Sequence, residues 1–190
     1  MGIRTFSLFS LVVLLFLELF LDYDNLERKL ALISTNVIGV LLYLGINSYF
    51  KKRNTHLPSW LWLLVAAGIW FDAAGNFAHL YGRYGWWDQL VHVVGPAMVA
   101  AIFVYIFAGF QQKGELNLSK FWHNFIVISS AMLLTVLYEI TEYVGDILFN
   151  TNRITNLLDT ADDLWWGLLA IVIVVTVLNK KIYYKKFVDR

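Results

Sequence analysis

The sequence has no cysteine, only two prolines and few charges, and each shortage removes a class of explanation. Without cysteine there is no disulfide, no thiolate metal site and no cysteine nucleophile. Charged residues make up 15% of the 190 positions and almost cancel, at a formal net charge of +1, so no basic surface calls for a nucleic-acid partner. Small residues are also missing where a signal peptidase would need them. Arg4 precedes an apolar run, but Leu17-Glu18-Leu19-Phe20-Leu21 offers no small-residue cleavage site, so the segment is expected to stay as an uncleaved signal anchor.

What is there is apolar and aromatic: 59% hydrophobic and 17% aromatic residues place the chain in the membrane class. A bilayer core of roughly 30 Å needs about 20 apolar residues as helix, with all backbone polar groups satisfied internally. Six stretches qualify, near 3–21, 30–50, 58–80, 88–110, 121–146 and 159–179. The expected fold class is therefore all-α, a polytopic bundle of about six transmembrane helices forming one transmembrane domain over 1–190. The sequence Tyr81-Gly82-Arg83-Tyr84-Gly85-Trp86-Trp87 is read as an aromatic turn between the third and fourth spans, and 150–156 as a polar loop between the last two.

Lysine and arginine set the orientation. With a cytoplasmic N-terminus, eleven of the 15 basic residues fall inside and only Arg28, Lys29, Arg83 and Arg153 outside. Both termini are then cytoplasmic, in the cell (inner or plasma) membrane. Of the 14 acids, all but Glu115 and Asp189 fall in outer loops or outer halves of spans. His56 and His123 lie on the cytoplasmic side, away from that acidic face. Glu18 is expected to face lipid headgroups at the outer rim.

The acids recur at helical spacing. Asp72, Asn76 and His79 stand at i, i+4 and i+7, one face of the third span. Asp88 and His92 repeat the i, i+4 spacing in the fourth, with Gly95 on the same face. Glu139, Glu142 and Asp146 share a face of the fifth span, and Asp159 and Asp163 one of the sixth, followed by Gly167. Asp162 is out of line and read as solvated. Ionised side chains at this depth cost several kcal/mol unless paired or hydrated, so these stripes are expected to converge in one polar pocket. Seven carboxylates with two histidines need compensation from bound cations, shared protons or the nearby Arg83 and Arg153. Oxygen-rich sets with one or two imidazoles suit magnesium, manganese or calcium, or zinc or iron where histidine takes part.

The candidate metal ligands are Asp72, Asp88, His92, Glu139, Glu142 and Asp163, for a divalent ion of unspecified identity. His92 and Glu139 are the candidate catalytic residues. Asn76, His79, Arg83, Asp146, Arg153 and Asp159 are the candidate substrate-binding residues. Each also has a plainer reading: Asp88, Asp159 and Asp162 as helix N-terminal acids, His79 as a surface histidine, and the deeper acids as buried hydrogen-bonding ties.

Phe71-Asp72-x-x-Gly75-Asn76, Trp87-Asp88-x-x-x-His92-x-x-Gly95, Tyr138-Glu139-x-x-Glu142-x-x-Gly145-Asp146 and Asp159-Thr160-x-x-Asp163-Leu164 together resemble the YjdF-like inner-membrane proteins. That resemblance runs from about Leu57 onward and implies location and fold. A more distant similarity is to VanZ-like proteins, from which Gln89, Glu142 and Asp163 depart by making the set more acidic. Three functional classes stay open. One is a metal-dependent membrane enzyme acting on a lipid headgroup or lipid-linked substrate. The others are a cation- or proton-coupled carrier and a non-enzymatic envelope protein with a structural carboxylate network. The lipid bilayer is the partner common to all three.

Overall fold

A computed structural model of the chain describes residues 2–20, 26–53, 57–151, 153–154, 156 and 158–188. His56 lies outside the described residues. Among the described residues the secondary structure is helical throughout: α1 (Ile3–Phe20), α2 (Leu26–Lys52), α3 (Ser59–Phe77), α4 (Leu80–Arg83), α5 (Trp86–Gln112), α6 (Lys120–Phe149) and α7 (Asp159–Val188). All but α4 are long and apolar enough to cross a membrane, and the chain is a multi-pass membrane protein with six such helices.

Two boundaries depart from the expected spans for local reasons. The third span ends at Phe77, not Leu80: Ala78 N–H donates to the Ala74 carbonyl, His79 N–H to that of Asn76, and His79 takes φ 52 in the left-handed region. A non-glycine residue there ends the helix. At the other extreme, α7 continues to Val188, beyond the expected 179, because Lys180 to Val188 holds no glycine or proline to stop it. Ser119 precedes α6, and its hydroxyl accepts from Trp122 N–H at 3.4 Å, an N-cap three residues from the donor.

The described residues group into two compact units. The first holds Met1–Val91 with Phe149–Thr151, the second His92–Leu148 with Asn152–Arg190. In the first, α1 packs against α2 and α3. Its buried stripe is Ser7, Leu11, Leu14 and Glu18, spaced by three and four residues as one helix face requires. Tyr43 of α2 lies against Trp62 of α3, ring centroids 4.2 Å apart, and donates its hydroxyl to the Arg4 carbonyl at 2.8 Å. Arg4 in turn donates to the Leu57 carbonyl.

The second unit is built from three stripes stepped mostly by four residues. These are His92, Pro96, Ala100, Val104 and Ala108 on α5; His123, Val127, Ala131, Thr135 and Glu139 on α6; and Asp163, Gly167, Ile171, Val175 and Asn179 on α7. Steps of four generate the ridge rows that interlock between helices. Ala100, Val104, Val127, Ala131, Ile171 and Val175 form the core of that unit. Such small side chains let helix backbones approach closely where lipid supplies no hydrophobic drive. Gly167 takes this furthest, since a Cβ there would sit 3.1 Å from Thr135 Cγ2 and 3.2 Å from Pro96 Cγ. The α6 and α7 stripes are apolar in their middles and polar at both ends, while the α5 stripe is polar only at His92. The large outward residues, Phe121, Leu133 and Ile173 among them, are exposed as lipid-facing positions should be.

Candidate functional site

At one end of the second unit the three stripes finish in His92, Glu139 and Asp163, all buried. His92 Nδ1 lies 3.2 Å from Glu139 Oε1, and its Nε2 lies 3.7 Å from Asp163 Oδ2. Each ring nitrogen therefore faces a carboxylate. A neutral imidazole has one N–H and can serve only one of them; the charged form serves both. Pro96, four residues on, has no N–H to give the His92 carbonyl, so the helical ladder is broken next to this residue.

Glu142, one turn beyond Glu139, completes a set of three. His92, Glu139 and Glu142 each offer a ligand atom, all within 4.8 Å of one another. Arg153 adds a cation beside Glu142. Its Nη1 donates to Glu142 Oε1 at 2.9 Å and to the Tyr138 hydroxyl at 3.2 Å, with the Arg153 and Glu142 side chains 16% and 12% exposed. The Tyr138 ring stands edge-on to His92, centroids 6.2 Å apart. Asp146 accepts from the backbone N–H groups of Arg153 and Ile154, at 2.8 and 2.9 Å, which fixes the loop that delivers Arg153. Asp159 occupies the first turn of α7, half-buried, and Asp162 is exposed.

The first unit carries its own polar group. Asp72 Oδ1 accepts from the Tyr81 hydroxyl at 2.8 Å and from Asn76 Nδ2 at 3.3 Å. Tyr81 comes this close because Gly75 has no side chain: a Cβ there would fall on the Tyr81 ring and within 2.5 Å of Trp87 Nε1. Of the stripe expected on the third span, Asp72 and Asn76 share the helix. His79 does not, because α3 has already ended; it is exposed at the start of α4, and Arg83 is exposed at the end of that short helix. Asp88 lies in the first turn of α5, four residues before His92 and half-buried. Gly95 has open space beside it and admits no close neighbour.

Sequence reasoning missed the contacts of Tyr81, Tyr138 and Asn36 and the burial of Glu18 and His123. Tyr81 and Tyr138 were visible only as aromatics near the membrane boundary, where rings are commonplace. Asn36, a lone amide inside an apolar span, was the clearest overlooked signal. Glu18 does not face headgroups: it is fully buried and accepts from Asn36 Nδ2 at 3.0 Å. His123, set aside as cytoplasmic, is also fully buried, with Nδ1 2.7 Å from Gln111 Oε1.

No curated protein and no solved structure matches the chain. Residues 4–182 match the family described as predicted membrane protein (DUF2238), and with nearly its whole length covered the chain belongs to that family.

Proposed function

We propose that this membrane protein holds a divalent metal ion between His92, Glu139 and Glu142, and that the ion serves an enzyme acting on an anionic lipid headgroup or lipid-linked phosphate. The observation that carries this reading is the meeting of three ligand atoms within 4.8 Å, with His92 and Glu139 buried. Two carboxylates gathered around one imidazole favour a cation between them, and Arg153 pairs with Glu142. The donor set fits an ion that accepts oxygen with one nitrogen, manganese, zinc or iron before calcium. Asp163, beside the Nε2 edge of His92, suits the carboxylate that orients a ligating imidazole and sharpens its basicity. A bound ion supplies Lewis acidity toward a phosphoryl or carbonyl oxygen.

The remaining assignments belong to the same proposal. His92 is ligand or general base, with Glu139 its catalytic partner, and Asp146, Arg153 and Asp159 are the substrate-side residues of the same unit. Arg83, exposed, is proposed to meet anionic headgroups. The lysine and arginine distribution supports cytoplasmic termini and a cell-membrane location. The resemblance to YjdF-like proteins supports the same placement.

Elemental analysis of protein purified without chelators tests the reading. The expected result is a near-stoichiometric divalent metal that Glu139→Gln or His92→Ala removes. Protein that is metal-free as purified, with no thermal shift on adding magnesium, manganese, calcium or zinc, overturns it. A second reading has its own support: the Arg153–Glu142 ion pair and the two backbone donors on Asp146 are the ties expected of a structural carboxylate network in a non-enzymatic envelope protein. That reading expects the same substitutions to lower stability with no metal involved.

A further inference from the structure

The first unit contains buried chemistry that the metal proposal does not use. Glu18 of α1 and Asn36 of α2 are both 0% exposed. Asn36 Nδ2 donates to Glu18 Oε2 at 3.0 Å and to the Leu11 carbonyl at 3.3 Å. Two acceptors on one side of the amide settle which end is nitrogen. The other end of each group is left over. Glu18 Oε1 and Asn36 Oδ1 are buried and have no hydrogen-bond partner among the described residues.

Both leftover atoms are acceptors, so neither can satisfy the other as it stands. Within a membrane span no bulk water is at hand to satisfy them, and a buried polar atom left unpaired is costly. The neighbouring charge is of the wrong sign to help. Asp72 of α3, another carboxyl group, lies within electrostatic reach of Glu18. Asn36 is what α2 contributes. The place is short of one positive charge and of one donor.

We propose that Glu18 and Asn36 form a binding site for a small monovalent cation, a hydrogen ion or a sodium ion. A hydrogen ion taken from water forms one O–H bond at Glu18 Oε1 and breaks none in the protein. The resulting acid donates to Asn36 Oδ1 while Asn36 Nδ2 donates to Oε2, so between the two side chains each gives once and receives once. A sodium ion instead takes the same two oxygens as ligands. An intramembrane carboxylate with an amide partner is the arrangement expected where a cation is taken up and released. The site rests on different residues from the His92 centre and does not depend on the metal proposal.

The test is infrared and thermal measurement on the full chain in nanodiscs at neutral pH, with sodium chloride or choline chloride, for the native protein and Glu18→Gln. If a hydrogen ion is held, the native protein shows a protonated-carboxyl band that is lost in Glu18→Gln and indifferent to sodium. That variant then melts as the native protein does, because the amide offers the same donor and acceptor. If sodium is held, the band is missing, sodium raises the native melting point over choline, and Glu18→Gln abolishes the rise. Should Glu18→Gln fail to fold, Asn36→Ala keeps the carboxyl and is expected to shift the band or weaken the sodium effect. A native protein that shows no protonated-carboxyl band and no protection by sodium overturns the proposal.

Discussion

The Tyr81 hydroxyl donates to Asp72 Oδ1 at 2.8 Å from beyond the end of the helix that carries the carboxylate. The bond ties α4 back onto α3 and gives a half-buried acid its second donor after Asn76. Tyr81→Phe is expected to cost about 1.5–3 kcal/mol, the range for a hydrogen bond to a charged group. Thermal unfolding in detergent measures it. A loss below ~0.5 kcal/mol, the floor of ordinary hydrogen bonds, means that water replaces the hydroxyl.

Three glycines should rank in a fixed order when changed to alanine. Gly75 faces the Tyr81 ring and Trp87 Nε1, Gly167 faces Thr135 and Pro96 at 3.1–3.2 Å, and Gly95 faces nothing within 4 Å. Overpacking costs typically ~1–3 kcal/mol, so Gly75→Ala is placed at the upper end and Gly167→Ala lower. Gly95→Ala gains up to about 1 kcal/mol from helix propensity. A reversed order of melting temperatures would contradict the packing described.

If the proposed metal binds, Arg153 and the cation compete for Glu142. Removing the guanidinium with Arg153→Gln is expected to tighten divalent-metal binding by about tenfold, or ~1.4 kcal/mol, while Glu142→Gln weakens it by a similar factor. Isothermal titration of the metal distinguishes them. If Arg153→Gln leaves the affinity unchanged, the ion does not use Glu142.

Asp146 holds the α6–α7 loop through two backbone donors. Asp146→Ala strands both and is expected to cost about 2 kcal/mol, whereas Asp146→Asn keeps one acceptor and costs about half as much. Limited proteolysis should then cut near Arg153 in Asp146→Ala first. Equal cleavage of both variants would assign the loop's order to other contacts.

The six spans were legible because length and hydropathy are summed over some 20 residues, and errors at single positions average out. Helix ends are decided by single residues, which is why His79 was placed on a helix that stops two residues earlier. Spacing along α6 put Glu139 and Glu142 on one face, and that much of the cluster with His92 was legible. Partners from other segments were not legible. Nothing local to Glu18 tells whether an acid one turn from a membrane boundary meets headgroups or Asn36, which is 18 residues away in the chain. The same holds for Tyr81 and Asp72: their meeting depends on the absent Cβ of Gly75, a residue whose sequence signal is only that it is small.

The two ends of the second unit are fastened by different forces. Near His123, about 24 Å along α6 from Glu139 at helical rise, the ties are dipolar: Gln111 to His123 and to the Leu118 carbonyl, and Asn179 to Asn124. At the opposite end they are ionic, Arg153 on Glu142 and Asp146 on its loop. Dissolved salt weakens a partly buried ion pair to a small extent and leaves amide pairs almost untouched. Fraying under high ionic strength should therefore begin at the α6–α7 connection and spare the α5–α6 hairpin, so the bundle is insulated at one pole and responsive at the other.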